Sequence, residues 1–150
     1  MKILRFAFQN YRNLEEDSIS PCEGTNLIYG KNAQGKTNLL EAMWLFTGGH
    51  SFRGAKDGEL VRFGETSCTL GLEFFSEERE QTAKLTIRGG KREAEINGIL
   101  KRSAAALVGK FCAVIFSPEH LALVKGGPAL RRSFLDGALC QSRPAYAKQF

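Results

Sequence analysis

Residues 30–37 read Gly-Lys-Asn-Ala-Gln-Gly-Lys-Thr, and no other stretch of the 150-residue chain restricts its fold as much. Gly30 and Gly35, followed at once by Lys36 and Thr37, satisfy the pattern G-x-x-x-x-G-K-[ST], a P-loop. The glycines let the chain wrap so that successive backbone N–H groups converge on phosphate oxygens, and the helix that follows turns its positive N-terminal end toward the same anion. Lys36 is expected to neutralise the β and γ phosphates, and the Thr37 hydroxyl to ligate Mg²⁺. The loop requires a strand before it and a helix after it. Asn26-Leu27-Ile28-Tyr29 is a short apolar run readable as a buried strand, and Leu39, Leu40, Met43, Trp44 and Phe46 recur at helical spacing until Gly48-Gly49 stops them. The expected phosphate site is therefore Gly30, Lys31, Asn32, Ala33, Gln34, Gly35, Lys36 and Thr37.

Outside this unit the apolar period changes to two. Leu4, Phe6 and Phe8 alternate with Arg5, Ala7 and Gln9 in a strand over residues 2–10, and a polar stretch follows as far as Pro21 and Gly24. Leu70, Leu72 and Phe74, then Ala83, Leu85 and Ile87, mark two more strands. Gly89-Gly90 and Asn97-Gly98 are hairpin signals on either side of Arg92, Ala94 and Ile96, so residues 83–102 read as an antiparallel meander. Ser103 is placed to cap a short helix over 104–108, Phe111 to Phe116 reads as a buried strand, and Ser117-Pro118 as the N-cap and first position of a helix. A last helix from Pro128 puts Leu130, Phe134 and Ala138 on one face and is expected still to run at the chain end. The fold class is α/β, more fully α+β: a P-loop unit over about residues 1–50, an antiparallel β region over about 66–102, and the start of a helical region over about 117–150.

Composition narrows the class. With 43% hydrophobic and 25% charged residues the chain is neither disordered nor collagenous. Its longest apolar run, Phe111 to Phe116, is far short of the roughly 20 residues that span a bilayer, and the N-terminus lacks a signal-peptide pattern, so a cytoplasmic protein with no membrane partner is expected. Cys22, Cys68, Cys112 and Cys140 form no C-x-x-C pair and read as reduced, mostly buried residues. The net charge of +5 is uneven: residues 1–87 hold 10 basic and 12 acidic groups, residues 88–150 hold 11 and 4. That excess suits a polyanion such as DNA and equally suits a solvated face; Arg88, Lys91, Arg92, Lys101 and Arg102 are the groups in question.

Hydrolysis would need a carboxylate at the end of an apolar strand to hold the metal. Phe111 to Phe116 leads instead into Ser117-Pro118-Glu119; Glu119 is a candidate metal ligand or simply an acid in the first turn of a helix. Phe134-Leu135-Asp136 also ends in an acid, at helical spacing.

Several segments together resemble the N-terminal part of the RecF family. They are Asn10-Tyr11-Arg12-Asn13-Leu14, Gly30 through Ala42, Ser51-Phe52-Arg53, Phe116-Ser117-Pro118-Glu119 with Leu123-Val124-Lys125-Gly126, and Arg131 through Asp136, in the family's order. The first two would also suit related heads of the SMC type. The resemblance implies an ABC-type ATPase head that binds ATP and Mg²⁺ and forms an ATP-dependent homodimer. It further implies binding to gapped, single-stranded or linear double-stranded DNA and action with RecO and RecR to load RecA in repair, replication and the SOS response. Arg12 matches an arginine that lies beside the nucleotide in related heads; read from the residues alone it is equally a surface charge at a strand end. The family's signature sequence and its Walker B acid are not in these residues, so a truncated product or partial sequence is expected, and little hydrolysis by this chain alone where the full-length family implies a weak DNA-dependent ATPase. The alternatives are a small P-loop phosphotransferase, or a non-catalytic remnant.

Overall fold

The period-two segments pair as one antiparallel sheet. In a computed structural model that describes residues 1–146, the side chain of Glu119 aside, β1 (Lys2–Tyr11), β2 (Leu14–Ile19), β3 (Ser67–Ser76), β4 (Arg79–Arg88), β5 (Lys91–Ile96) and β6 (Ile99–Lys101) lie in the order β2-β1-β3-β4-β5-β6. The register sets Phe6 opposite Leu72, Leu70 opposite Leu85, and Leu85 opposite Ala94. Alternation then collects Phe6, Leu70, Leu72, Phe74, Leu85, Ile87 and Ala94 on one buried face. The two expected hairpin turns form with positive φ at both central residues, 55° and 71° at Gly89-Gly90 and 50° and 80° at Asn97-Gly98.

Two features of the sheet carry weak sequence signals. β2, Leu-Glu-Glu-Asp-Ser-Ile, has apolar residues only at its ends; it is an edge strand, and its exposed acids discourage further pairing. The β3–β4 turn is built on Glu77-Glu78 at φ 53° and 60°, a conformation that glycine or asparagine ordinarily supplies.

Helix α1 (Lys36–Trp44), continued by a 3-10 turn over Leu45–Thr47, packs on the buried face, with Phe46 edge-on to Phe6 at 6.2 Å between ring centres. Gly48 ends it at φ 82°, where a Cβ would stand 2.5 Å from Val108 Cγ2, so the Ser103-capped turn over Ala104–Leu107 closes directly on the helix end. The capping expected of Ser103 is made: its Oγ accepts the Ala105 N–H at 3.2 Å.

Other expectations are overturned. Neither Asn26–Tyr29 nor Phe111–Phe116 is a strand: Leu27, Tyr29, Val114 and Phe116 are exposed, and only Phe111 is buried, against Phe74. A strand needs a partner strand to pair its backbone groups and a layer over each face it buries, and among the described residues neither segment has either, the one sheet being β2-β1-β3-β4-β5-β6. The last helix, α3 (Pro128–Ser142), starts at its proline as expected but stops at Ser142, since Pro144 drives Arg143 out of helical geometry to φ −136°; residues 147–150 lie outside the described residues. α3 follows a 3-10 turn over Pro118–Leu121 and the one-turn α2 (Ala122–Lys125), and Leu130 and Phe134 on its apolar face remain half exposed. Ser117 does not cap, its Oγ being buried without a partner. All four cysteines are unbridged, yet only Cys68 is buried; burial pushes that thiol up to about 11.

One carboxylate joins the sheet to the helix. Glu41 of α1 is fully buried and accepts Arg12 Nε at 2.6 Å, Arg12 Nη2 at 3.0 Å, the Tyr11 hydroxyl at 3.1 Å and the Ser51 hydroxyl. Burial alone would raise its pKa, but the hydrogen bonds from Arg12 and Ser51 and the guanidinium charge outweigh burial and hold it below the usual carboxylate value of 4.5. A depressed folded pKa means that the stability it contributes is fully present above about 4.5 and is lost as pH falls through the lower folded value. Glu41→Ala leaves Arg12 without its counter-ion and is expected to cost about 3–5 kcal/mol near neutral pH. Urea unfolding at pH 7 and at pH 3 should show the gap between variant and parent shrinking in acid; a gap independent of pH would refute the ion pair's contribution.

Candidate phosphate-binding site

The loop before α1 is shaped by three constraints. Gly35 begins the helix at φ 97°, and a Cβ there would stand 2.7 Å from Leu14 Cδ2 and 2.8 Å from Asn13 Oδ1, so the β1–β2 turn roofs the loop and glycine alone fits beneath it. Ala33 takes the left-handed conformation at φ 65° and its carbonyl accepts Asn13 Nδ2 at 3.1 Å. Lys36 turns back into the loop, donating from Nζ to the carbonyls of Gly30 at 2.7 Å and Lys31 at 2.6 Å.

The result is a concentration of positive potential with no acid in it. Helix α1 has no side-chain cap and no acidic residue in its first turn, so its leading N–H groups and the positive end of its dipole point into the loop without a side-chain acceptor. Lys31, Asn32, Gln34 and Thr37 are exposed around this opening, and Lys36 is half-buried within it. The eight residues expected from the sequence are contiguous in this loop and the first turn of α1. Their donors suit a polyphosphate, whose oxygens accept the amide and ammonium hydrogens together.

Arg12 lies beside the cradle, in the β1–β2 turn at φ 50°, with its guanidinium locked bidentate on Glu41 and a side chain only 19% exposed. It is therefore not a strand-end surface charge. Arg53 adds a second cation: its Nη1 donates to Asn38 Oδ1 at 2.7 Å and lies 3.9 Å from Glu41. Glu41 and Asn38 escaped a reading based on apolar period, although Glu41 precedes Leu45 by one helical turn and so falls on the buried stripe.

The basic residues of the second half separate into two kinds. Arg92 faces the core opposite Ile87; it donates to the Gly49 carbonyl at 2.7 Å and pairs with Asp57, its side chain 6% exposed, and is withdrawn from any surface role. Arg88 and Lys91 flank the Gly89-Gly90 turn and Lys101 and Arg102 follow β6, all exposed. Among the described residues no three His, Cys, Asp or Glu side chains gather as a metal site, and no helix is long and apolar enough to cross a membrane. Asp136 sits in α3 as its spacing indicates, accepting from the Tyr146 hydroxyl at 3.3 Å.

Comparison with known proteins agrees with this geometry. A family described as an AAA domain matches residues 5–117. The DNA replication and repair protein RecF of Syntrophotalea carbinolica is 42% identical over 146 residues, and that of Acetivibrio thermocellus 40% identical over 147, each alignment covering 97% of this chain and 40% of the relative. The chain spans about two fifths of the length of these relatives. A solved structure of the recombination mediator RecF with ATP superposes with a TM-score of 0.87 at 38% identity, over 92% of this chain and 38% of that one. A structure of an SMC ATPase superposes with a TM-score of 0.71 at 16% identity over 92% of this chain and 99% of the other, a likeness of fold. Matched by that family over most of its length, the chain belongs to the AAA domain family, and it resembles the N-terminal portion of RecF.

Proposed function

We propose that this chain is the ATP-binding part of a RecF-like protein of DNA replication and repair. The observation that carries the reading is the uncapped, acid-free start of α1 with Lys36 folded into the loop ahead of it. ATP's phosphates bind across Gly30 through Thr37, with Lys36 on the β and γ groups. Thr37 is exposed at the first turn with no acid beside it, so it holds Mg²⁺ only together with phosphate oxygens. Glu119, whose side chain lies outside the described residues, is not assigned. Arg12 acts from the side of the cradle while held by Glu41. The relatives named as RecF and the RecF structure containing ATP support the nucleotide and the pathway.

In this reading residues 1–50, 66–102 and those from 117 onward are parts of one lobe of an ABC-type head. The exposed Leu27, Tyr29, Val114 and Phe116 are where the rest of a longer head packs. The full-length protein dimerises around ATP, binds DNA, loads RecA with RecO and RecR, and serves the SOS response from the cytoplasm. DNA phosphates meet the exposed Arg88, Lys91, Lys101 and Arg102. A small-molecule phosphotransferase built on parallel strands and helical crossovers gains no support from a wholly antiparallel sheet.

Lys36→Ala is expected to weaken MgATP binding at least about tenfold in titration calorimetry, since a charge-assisted contact to phosphate is lost. Equal binding by parent and variant would mark the loop as a remnant. For DNA, the affinity of the full-length protein should fall steeply with salt, and Lys91→Ala with Lys101→Ala should flatten the log–log slope by about 1–2. A slope unchanged by both substitutions would remove these residues from the DNA path.

A further inference from the structure

Asn13 makes two hydrogen bonds that the apolar period of the sequence does not announce. Its Nδ2 donates to the Ala33 carbonyl at 3.1 Å, and its Oδ1 accepts Asn38 Nδ2 at 2.7 Å. Asn38 Oδ1 in turn accepts Arg53 Nη1 at 2.7 Å. A guanidinium can only donate, so Arg53 fixes the Asn38 carbonyl toward itself and the Asn38 amide toward Asn13. The Asn13 oxygen must then face Asn38, and its amide must face Ala33. Reversed, Asn13 would set oxygen against oxygen at the loop apex.

The same two turns of α1 carry a second rung. Asn38 and Glu41 are three residues apart and share a helix face; Asn13 meets the first and its neighbour Arg12 the second, while Arg53 touches both. Two adjacent residues of the β1–β2 turn are thereby tied to one side of the helix, and only Asn13 reaches on to the loop. Ala33 needs such a tie, because φ 65° is a backbone conformation that a residue with a Cβ adopts only when its surroundings hold it there.

We infer that Asn13 is a positioning residue of the phosphate cradle: through Ala33 and Asn38 it holds the loop open in its binding shape, its orientation dictated by Arg53. The inference deepens the nucleotide-binding reading and rests on it for its consequence, whereas the hold on the loop stands without it. Asn13 acts through the backbone of Ala33 and needs no contact with the nucleotide.

The test is amide hydrogen exchange on the nucleotide-free full-length protein, followed by MgATP titration. Asn13→Ala should speed exchange about tenfold at Leu39, whose N–H donates to the Gly35 carbonyl at 2.9 Å where the loop enters α1, while leaving the β3 and β4 amides unchanged, and should weaken MgATP by a similar factor. Asn13→Asp keeps an acceptor for Asn38 and loses the donor to Ala33, so it should loosen the loop as much as alanine does. Exchange at Leu39 equal to the parent's, or an equal acceleration in β3 and β4, would overturn the positioning role. A Lys36→Ala protein that binds MgATP like the parent would overturn the nucleotide reading and leave the exchange result to judge Asn13.

Discussion

A carboxylate with no exposed surface in the middle of a helix is the interaction on which the rest of this structure turns. Taking Glu41 out of water is tolerable only because Arg12, Tyr11 and Ser51 converge on its two oxygens, and these arrive from the end of β1, the β1–β2 turn and the segment after α1. Apolar contacts alone would let α1 slide over the sheet with little change in buried area. A desolvated charge does not, because every displacement strands it or one of its partners. The helix is therefore fixed along its axis, and with it the loop at its N-terminus.

A second buried charge fixes the other end. Arg92 reaches from β5 to Asp57 and to the carbonyl of Gly49, just past the end of the helical segment. Because Arg92 lies on the core face with Ala94 and Ile96, a one-residue slip of β5 would put Lys91, Glu93 or Glu95 inward and leave Asp57 unpaired. Register and helix position are thus specified by the same kind of device at both ends of the core, around an apolar centre of Phe6, Phe46, Leu70 and Leu85.

What could be read beforehand follows from what each signal reports. Alternation reports one buried face, so β1, β3, β4 and β5 were legible, and Gly89-Gly90 and Asn97-Gly98 report a backbone sign that few residues tolerate. Arg92 was legible in the same way, standing in phase with Ala94 and Ile96, although its charge invited a surface reading. Leu27 to Tyr29 and Val114 to Phe116 were misread because apolar character states what would gain from burial and says nothing of whether a neighbour is present. β2 and the Glu77-Glu78 turn were silent because tertiary pairing imposes them against local preference. In the cradle, the eight loop residues were explicit in the pattern. Asn13, Asn38, Glu41 and Arg53 stand in the segments that carry the family resemblance, but their contacts were not legible, since hydrogen bonds between polar side chains leave no period in a sequence.

That division has a consequence for how binding and folding are linked. The loop pattern is local, yet Asn13 reaches its Ala33 carbonyl from 20 residues earlier in the chain, out of the β1–β2 turn. The loop therefore has its roof over Gly35 only where the β1–β2 turn has docked against it. A ligand seated in it binds only the assembled state and draws the whole sheet–helix unit toward the fold, in proportion to its affinity. In the proposed role, the loop's affinity for phosphate is a property of the β1–β2 turn and the Glu41 cluster as much as of the glycines and Lys36.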